Sequence, residues 1–137
     1  MVYVTRRETF SASHRLYNPQ FSEAKNLELF DKCANPHGHG HNYVLEVTVA
    51  GNPQRETGYV IDLKGLKQII KEEIIQKVDH KHLNLDVDFL KGVIPTSENI
   101  ARVFWDVLEP RIKGGKLHSI RLQETENNSV EYRGGKS

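Results

Sequence analysis

Cysteine, methionine and tryptophan each occur once in the 137 residues, and aromatic residues make up only 8% of the chain. A lone cysteine forms no internal disulfide, which argues against a disulfide-stapled secreted scaffold and for a reducing, cytoplasmic setting. Charge of one sign is not in excess either. Nineteen Lys and Arg stand against 18 Asp and Glu, for a formal net charge of +1, so neither nucleic acid nor an anionic membrane is expected as a partner. No run approaches the roughly 20 apolar residues of a membrane span. The start, MVYVTRRETF, lacks the apolar core of a signal peptide. There is no internal repeat and no low-complexity segment, which leaves one domain, residues 1–137, with a modest core.

Hydrophobic periodicity supplies the elements. Residues 2–14 alternate loosely, with Val4, Phe10, Ala12 and His14 on one face of a strand. A short helix is expected from Glu23 to Phe30. Residues 41–50 alternate strictly: Tyr43, Leu45, Val47 and Val49 face one way, and Val44, Glu46 and Thr48 the other. Beyond a turn bracketed by Asn52-Pro53 and Thr57-Gly58, Tyr59 to Ile61 reads as a return strand. Asp62 reads as the N-cap of a helix to about Val78, with Leu63, Leu66, Ile69, Ile70 and Ile74 at helical spacing. A second helix opens at Pro95-Thr96-Ser97-Glu98, carries Ile100, Val103, Phe104, Val107 and Leu108, and ends at Pro110. His118, Ile120, Leu122 and Glu124 then share a strand face, Asn127-Asn128 turns, and Ser129 to Arg133 returns. This order predicts an α+β domain: a four-stranded antiparallel sheet with two antiparallel helices on one face. Such a sheet has open edges, which call for protection or for a second subunit.

The stretch DKCANPHGHGHNY, residues 31–43, holds the only cysteine and three of the seven histidines. On an extended backbone His37, His39 and His41 point to one side, and Gly38 and Gly40 allow the chain to bend. Neutral imidazole is a good zinc ligand, and a catalytic zinc takes three protein ligands and keeps one position open. His14, at the end of an apolar strand face, is the most attractive third ligand. The plainer alternative is a glycine-rich loop with solvated histidines. Cys33 sits among Asp31, Lys32, Asn35 and Pro36, a polar loop rather than a core strand. A nearby metal or cationic histidine would lower its pKa and make a thiolate base or nucleophile; otherwise it is an inert small residue. The tail Gly134-Gly135-Lys136-Ser137 ends like a phosphate-binding loop, but the earlier glycine of that motif falls at Val130. It reads as a frayed chain end.

Five motifs in order, FSASHRL (10–16), CANPHGHGHNY (33–43), VDHKHLNLD (78–86), PTSEN (95–99) and QETENN (123–128), resemble the 6-pyruvoyltetrahydropterin synthase family. The resemblance runs from Phe10 to about Gly134. It implies the tunnelling fold, in which strands of three subunits join into a barrel and two trimers stack into a homohexamer, closing the open edges. It also implies the family's reaction: loss of triphosphate from 7,8-dihydroneopterin triphosphate with hydrogen rearrangement, giving 6-pyruvoyltetrahydropterin for tetrahydrobiopterin synthesis. Carried over residue by residue, His14, His39 and His41 are ligands of one zinc per subunit, and His37 is a bystander. Cys33 is the catalytic thiol. Asp79 and His80 are the pair that works with it across a subunit interface, although a histidine there often only meets a helix C-terminus. Glu124 anchors the pterin, where the plainer reading is an ion pair with Arg121 or Arg133. Thr96 and Ser97 are small hydroxyl residues near the substrate. Magnesium is a candidate companion of the triphosphate, with no dedicated protein site.

Two other readings stand beside this one. A 6-carboxytetrahydropterin synthase of the queuosine pathway takes the same substrate but also releases acetaldehyde. Its shorter spacing from cysteine to His-Gly-His would make His37 and His39 the ligands. Asn35-Pro36 and Asn42-Tyr43 favour the longer register, with His39 and His41. A non-catalytic zinc-binding interaction module would need the metal but not Cys33, His80 or Glu124.

Overall fold

The computed structural model describes residues 1–135, so the Lys136-Ser137 end of the glycine-rich tail lies outside the described residues. Strand β1 (Val2–His14) pairs antiparallel along its whole length with β2 (His39–Gly51), from Val2 opposite Gly51 to His14 opposite His39. Between them helix α1 (Glu23–Phe30) starts at Ser22, whose hydroxyl accepts the Lys25 N–H. Helix α2 (Leu63–Ile70) is capped by Asp62 as the sequence predicts, and it runs on through a π turn (Lys71–Ile75) to Gln76–Val78. A two-residue strand β3 (Lys81–His82) follows, then helix α3 (Ser97–Leu108) with Thr96 as N-cap. Strands β4 (Lys116–Thr125) and β5 (Asn128–Tyr132) close the described chain.

The class is α+β, but the sheet has five strands in the order β3-β1-β2-β4-β5 rather than four. It is also not wholly antiparallel, because β3 pairs parallel with β1 at Ala12 and Ser13. Two residues are too short to show a period, so the sequence carries no sign of this strand. Tyr59 to Ile61 is not a strand. Both edges of β2 are already taken there, by Val2 and Tyr3 of β1 and by Lys116 and Leu117 of β4, and Asp62 starts the helix at once. The register of β4 shifts between Thr48 and Val49, which puts Leu117 opposite Val49. Leu117 takes the core place that simple alternation gives to His118, and His118 meets the Tyr3 ring instead, 4.6 Å between centroids.

The core lies between the sheet and the two long helices. Tyr43, Leu45, Val47, Val49, Ile120 and Leu122 from the sheet are buried against Leu66, Ile70, Ile74, Val78, Ile100, Phe104 and Leu108. On α2 the buried residues recur at every fourth position, and each such step overshoots an α-helical turn by about 40°. The wider π turn absorbs that drift and keeps all four on the core. Leu63, one step outside this row, is exposed. Phe104 is fully buried and meets Phe10 and Phe89 edge to face. Phe104→Ala is therefore expected to cost about 3–5 kcal/mol. Urea unfolding checks this, and a cost below about 1 kcal/mol would contradict the packing.

One end of the sheet's inner face changes character. Phe10 stacks on Tyr43 at 4.8 Å, and beyond this pair the inward positions are Ala12, His14, His39 and His41. The apolar core thus opens onto a histidine cluster.

Candidate active site

The β1–β2 register fixes the cluster. His39 stands opposite His14, and His41 lies two residues along β2 on the same face. The three rings form a nearly equilateral triangle, with centroids 4.9 Å (His14–His39), 5.1 Å (His14–His41) and 4.8 Å (His39–His41) apart. Gly38 allows the approach: its φ is +73°, and a side chain there would come within 2.9 Å of the His14 carbonyl oxygen. The His14 Nδ1 lies 2.8 Å from the Pro95 carbonyl oxygen, at the start of α3. A carbonyl only accepts, so Nδ1 carries the proton and Nε2 keeps its lone pair. Nε2 of His14 and of His41 are both buried without a hydrogen-bond partner. Buried polar nitrogens are seldom left this way, and three convergent imidazoles, two of them with such nitrogens, are a donor set that fits zinc. His37 lies outside the group of His14, His39, His41 and Glu124, whose ligand atoms lie within 4.8 Å of one another.

Glu124 reaches the group from β4. The register shifts between Gln123 and Thr125, leaving Glu124 as an unpaired extra residue, and such a bulge re-aims a side chain. Its Oε1 lies 2.9 Å from His41 Nε2 and 3.9 Å from His14 Nε2. Its Oε2 accepts a 2.6 Å hydrogen bond from the Ser97 hydroxyl, which is buried in the first turn of α3. Thr96 beside it accepts the Asn99 N–H as a helix cap. Arg121 is not Glu124's partner; it pairs with Glu46, and Arg133 pairs with Glu131.

Cys33 sits on a 3-10 turn (Asp31–Ala34), partly buried, in a cleft of about 550 Å³ that it shares with His39 and Leu27. The turn is tied to the chain just after His14: Leu16 donates its N–H to the Cys33 carbonyl at 2.7 Å, and Arg15 Nε donates to the Ala34 carbonyl at 2.9 Å. The same few residues therefore place a ligand candidate and the thiol. Burial pushes the thiol pKa up, and the negative charges of Glu124 and Asp31 add to this. Both effects favour the protonated thiol.

Asp79 and His80 lie elsewhere, where α2 gives way to β3 at the β1 edge of the sheet. Asp79 Oδ1 accepts the Ser11 N–H at 2.9 Å, and the Ser11 carbonyl accepts the His80 N–H at 2.6 Å. The Ser11 hydrogen bond holds the Asp79 pKa below its ordinary value. His80 takes a φ of +62°, and its Nδ1 lies 3.1 Å from Asp79 Oδ1 with the ring largely exposed. It faces a cleft lined by Ser11, Ser13 and Asn42, not the Cys33 cleft.

Two contributors carry no local signal in the sequence. They are the Pro95 carbonyl on His14 and the buried Tyr43 hydroxyl, 3.4 Å from His14 Nδ1. A strictly periodic strand marks Tyr43 as core but says nothing of where its hydroxyl ends.

Burial lowers the pKa of both His14 and His41 below 6.5, against a smaller raising effect of Glu124. The unfolded chain therefore binds more protons than the folded one between those depressed values and 6.5. Stability of the metal-free protein is expected to rise with pH through that interval and to level off above it. Denaturation midpoints at pH 5.5 and pH 7.5 check this, and a higher midpoint at the acid end would contradict it.

The family model described as 6-pyruvoyl tetrahydropterin synthase matches residues 3–135. The chain is 47% identical over 131 residues to the 6-pyruvoyl tetrahydrobiopterin synthase of Homo sapiens, covering 96% of this chain and 90% of that protein. It is 45% identical over 135 residues to the 6-pyruvoyl tetrahydrobiopterin synthase of Drosophila melanogaster, covering 98% of this chain and 80% of that protein. The solved structure of Caenorhabditis elegans 6-pyruvoyl tetrahydropterin synthase superposes with a TM-score of 0.93 at 38% identity, covering 98% of this chain and 96% of that one.

Proposed function

The chain belongs to the 6-pyruvoyl tetrahydropterin synthase family, and on that premise we propose that it is the lyase that converts 7,8-dihydroneopterin triphosphate to 6-pyruvoyltetrahydropterin with loss of triphosphate. The observation that carries this reading is the convergence of His14, His39, His41 and Glu124 beside the cleft that Cys33 shares with His39. His14, His39 and His41 would hold one zinc per subunit. Bound there, the ion supplies a Lewis acid for the oxygens of the substrate's hydroxylated side chain.

The remaining roles belong to the chain's own residues. Cys33 removes a proton from a side-chain carbon, which needs positive charge nearby because burial and two carboxylates keep it protonated otherwise. His80, oriented by Asp79, relays protons. Glu124 offers two oxygens to the amino and ring N–H edge of the pterin, a directed pairing, with Thr96 and Ser97 beside it. Magnesium would travel with the triphosphate.

His80 and the thiol line different clefts of one chain, which supports a site completed by another subunit. Beyond the two residues paired to β3, the outer edge of β1 carries no strand among the described residues, and β5 is the other end of the sheet. Both edges suit the trimeric barrel and the stacked homohexamer of the tunnelling fold. No helix among the described residues is long and apolar enough to cross a membrane, and the single cysteine suits a cytoplasmic enzyme.

Triphosphate release from 7,8-dihydroneopterin triphosphate tests the reading. Release is expected from zinc-loaded protein, is lost after chelation, and returns on adding zinc. Undiminished release from metal-stripped protein would overturn it.

A further inference from the structure

Glu124 is assigned above to the pterin, yet both its oxygens are engaged in the substrate-free chain. Ser97 Oγ donates to Oε2 at 2.6 Å. Oε1 lies 2.9 Å from His41 Nε2 and 3.9 Å from His14 Nε2. Neither contact is a hydrogen bond, since both nitrogens are buried without a partner. One ligand atom from each of Glu124, His14, His39 and His41 lies within 4.8 Å of the others. Two ligands of one tetrahedral zinc, each about 2.0–2.1 Å from it, stand roughly 3.3 Å apart, and the two contacts of Oε1 bracket that separation. Of the two His14 nitrogens, the one facing Glu124 is the one that the Pro95 carbonyl leaves unprotonated.

We propose that Glu124 Oε1 is a fourth, exchangeable ligand of the metal held by His14, His39 and His41. It closes the coordination shell while no substrate is present, and it leaves the metal when a pterin edge offers it N–H donors. The inference rests on the metal reading given under Proposed function. Ser97 is the positioning residue: its hydroxyl holds Oε2 and turns Oε1 toward the histidines. The consequence is selectivity. A hydroxylated compound without a pterin-like donor edge does not draw Glu124 away, so it finds no open coordination position.

The test uses the full chain loaded with cobalt(II), whose visible spectrum reports coordination, together with a chelator competition for affinity. Glu124→Gln is expected to change the resting spectrum, the readout that separates a ligand from a supporting partner, and to weaken cobalt binding. Glu124→Asp, which keeps the charge but shortens the reach, should do the same. Ser97→Ala should shift the spectrum by a smaller step. Neopterin, which carries the donor edge but no triphosphate, should change the wild-type spectrum and leave that of Glu124→Gln nearly unmoved. If both Glu124 variants match wild type in spectrum and affinity while His39→Ala loses cobalt, Glu124 is no ligand and the metal reading survives alone. If wild-type protein binds no cobalt or zinc, both fail.

Discussion

Cys33→Ala is expected to keep its metal and to lose about two to four orders of magnitude in kcat, the usual worth of a positioned proton-transfer group. The structure separates the two properties. Cys33 is not among the four residues whose ligand atoms cluster, yet it lines a cleft with His39. Truncating a partly exposed thiol on a turn held by the Leu16 N–H and the Arg15 side chain removes little packing, so the fold should survive. Bound zinc by elemental analysis and steady-state kinetics on the same sample check both halves. A kcat within threefold of wild type would remove Cys33 from the chemistry. A lost metal would make it a ligand and leave no position for substrate. Inactive protein with full zinc would also count against a module that binds metal only to engage a partner, which has no use for the thiol.

His41→Ala is expected to abolish stable metal binding, with affinity falling more than 100-fold, beyond the range seen when only a supporting partner of a ligand is removed. His37→Ala should change neither metal content nor turnover. The contrast follows from geometry: the His14–His41 and His39–His41 centroids are 5.1 and 4.8 Å apart, whereas His37 is exposed before the strand begins. Thermal unfolding gives a second readout. Metal that binds only the folded chain stabilises it by about 4 kcal/mol at a thousandfold excess over Kd. Zinc should therefore raise the Tm of wild type and of His37→Ala, but not of His41→Ala. Metal lost from His37→Ala and kept by His41→Ala would restore the shorter register, in which His37 and His39 are the ligands.

The legible parts of the sequence are those that repeat. Residues 41–50 alternate because one sheet face is buried, and the same period places His39 and His41 on that face at the end of the core. The i, i+3, i+4 recurrence in Ser97–Leu108 announces a helix because its apolar stripe must meet the sheet. Breaks in a period are not legible. The bulge at His118 exchanges it for Leu117, the bulge at Glu124 re-aims a carboxylate, and the π turn in α2 repairs a drift that only the folded core reveals. The link between Pro95 and His14 spans 81 residues and uses a carbonyl that every residue possesses. It arises from packing α3 against the sheet, and no local pattern encodes it.

Product identity tests the central claim most directly. Zinc-loaded protein would be incubated with 7,8-dihydroneopterin triphosphate, and the pterin and any acetaldehyde identified by mass spectrometry. The account predicts 6-pyruvoyltetrahydropterin and triphosphate with no acetaldehyde. Carboxytetrahydropterin with acetaldehyde would contradict it, keeping the metal centre and the thiol but assigning them to a different cleavage.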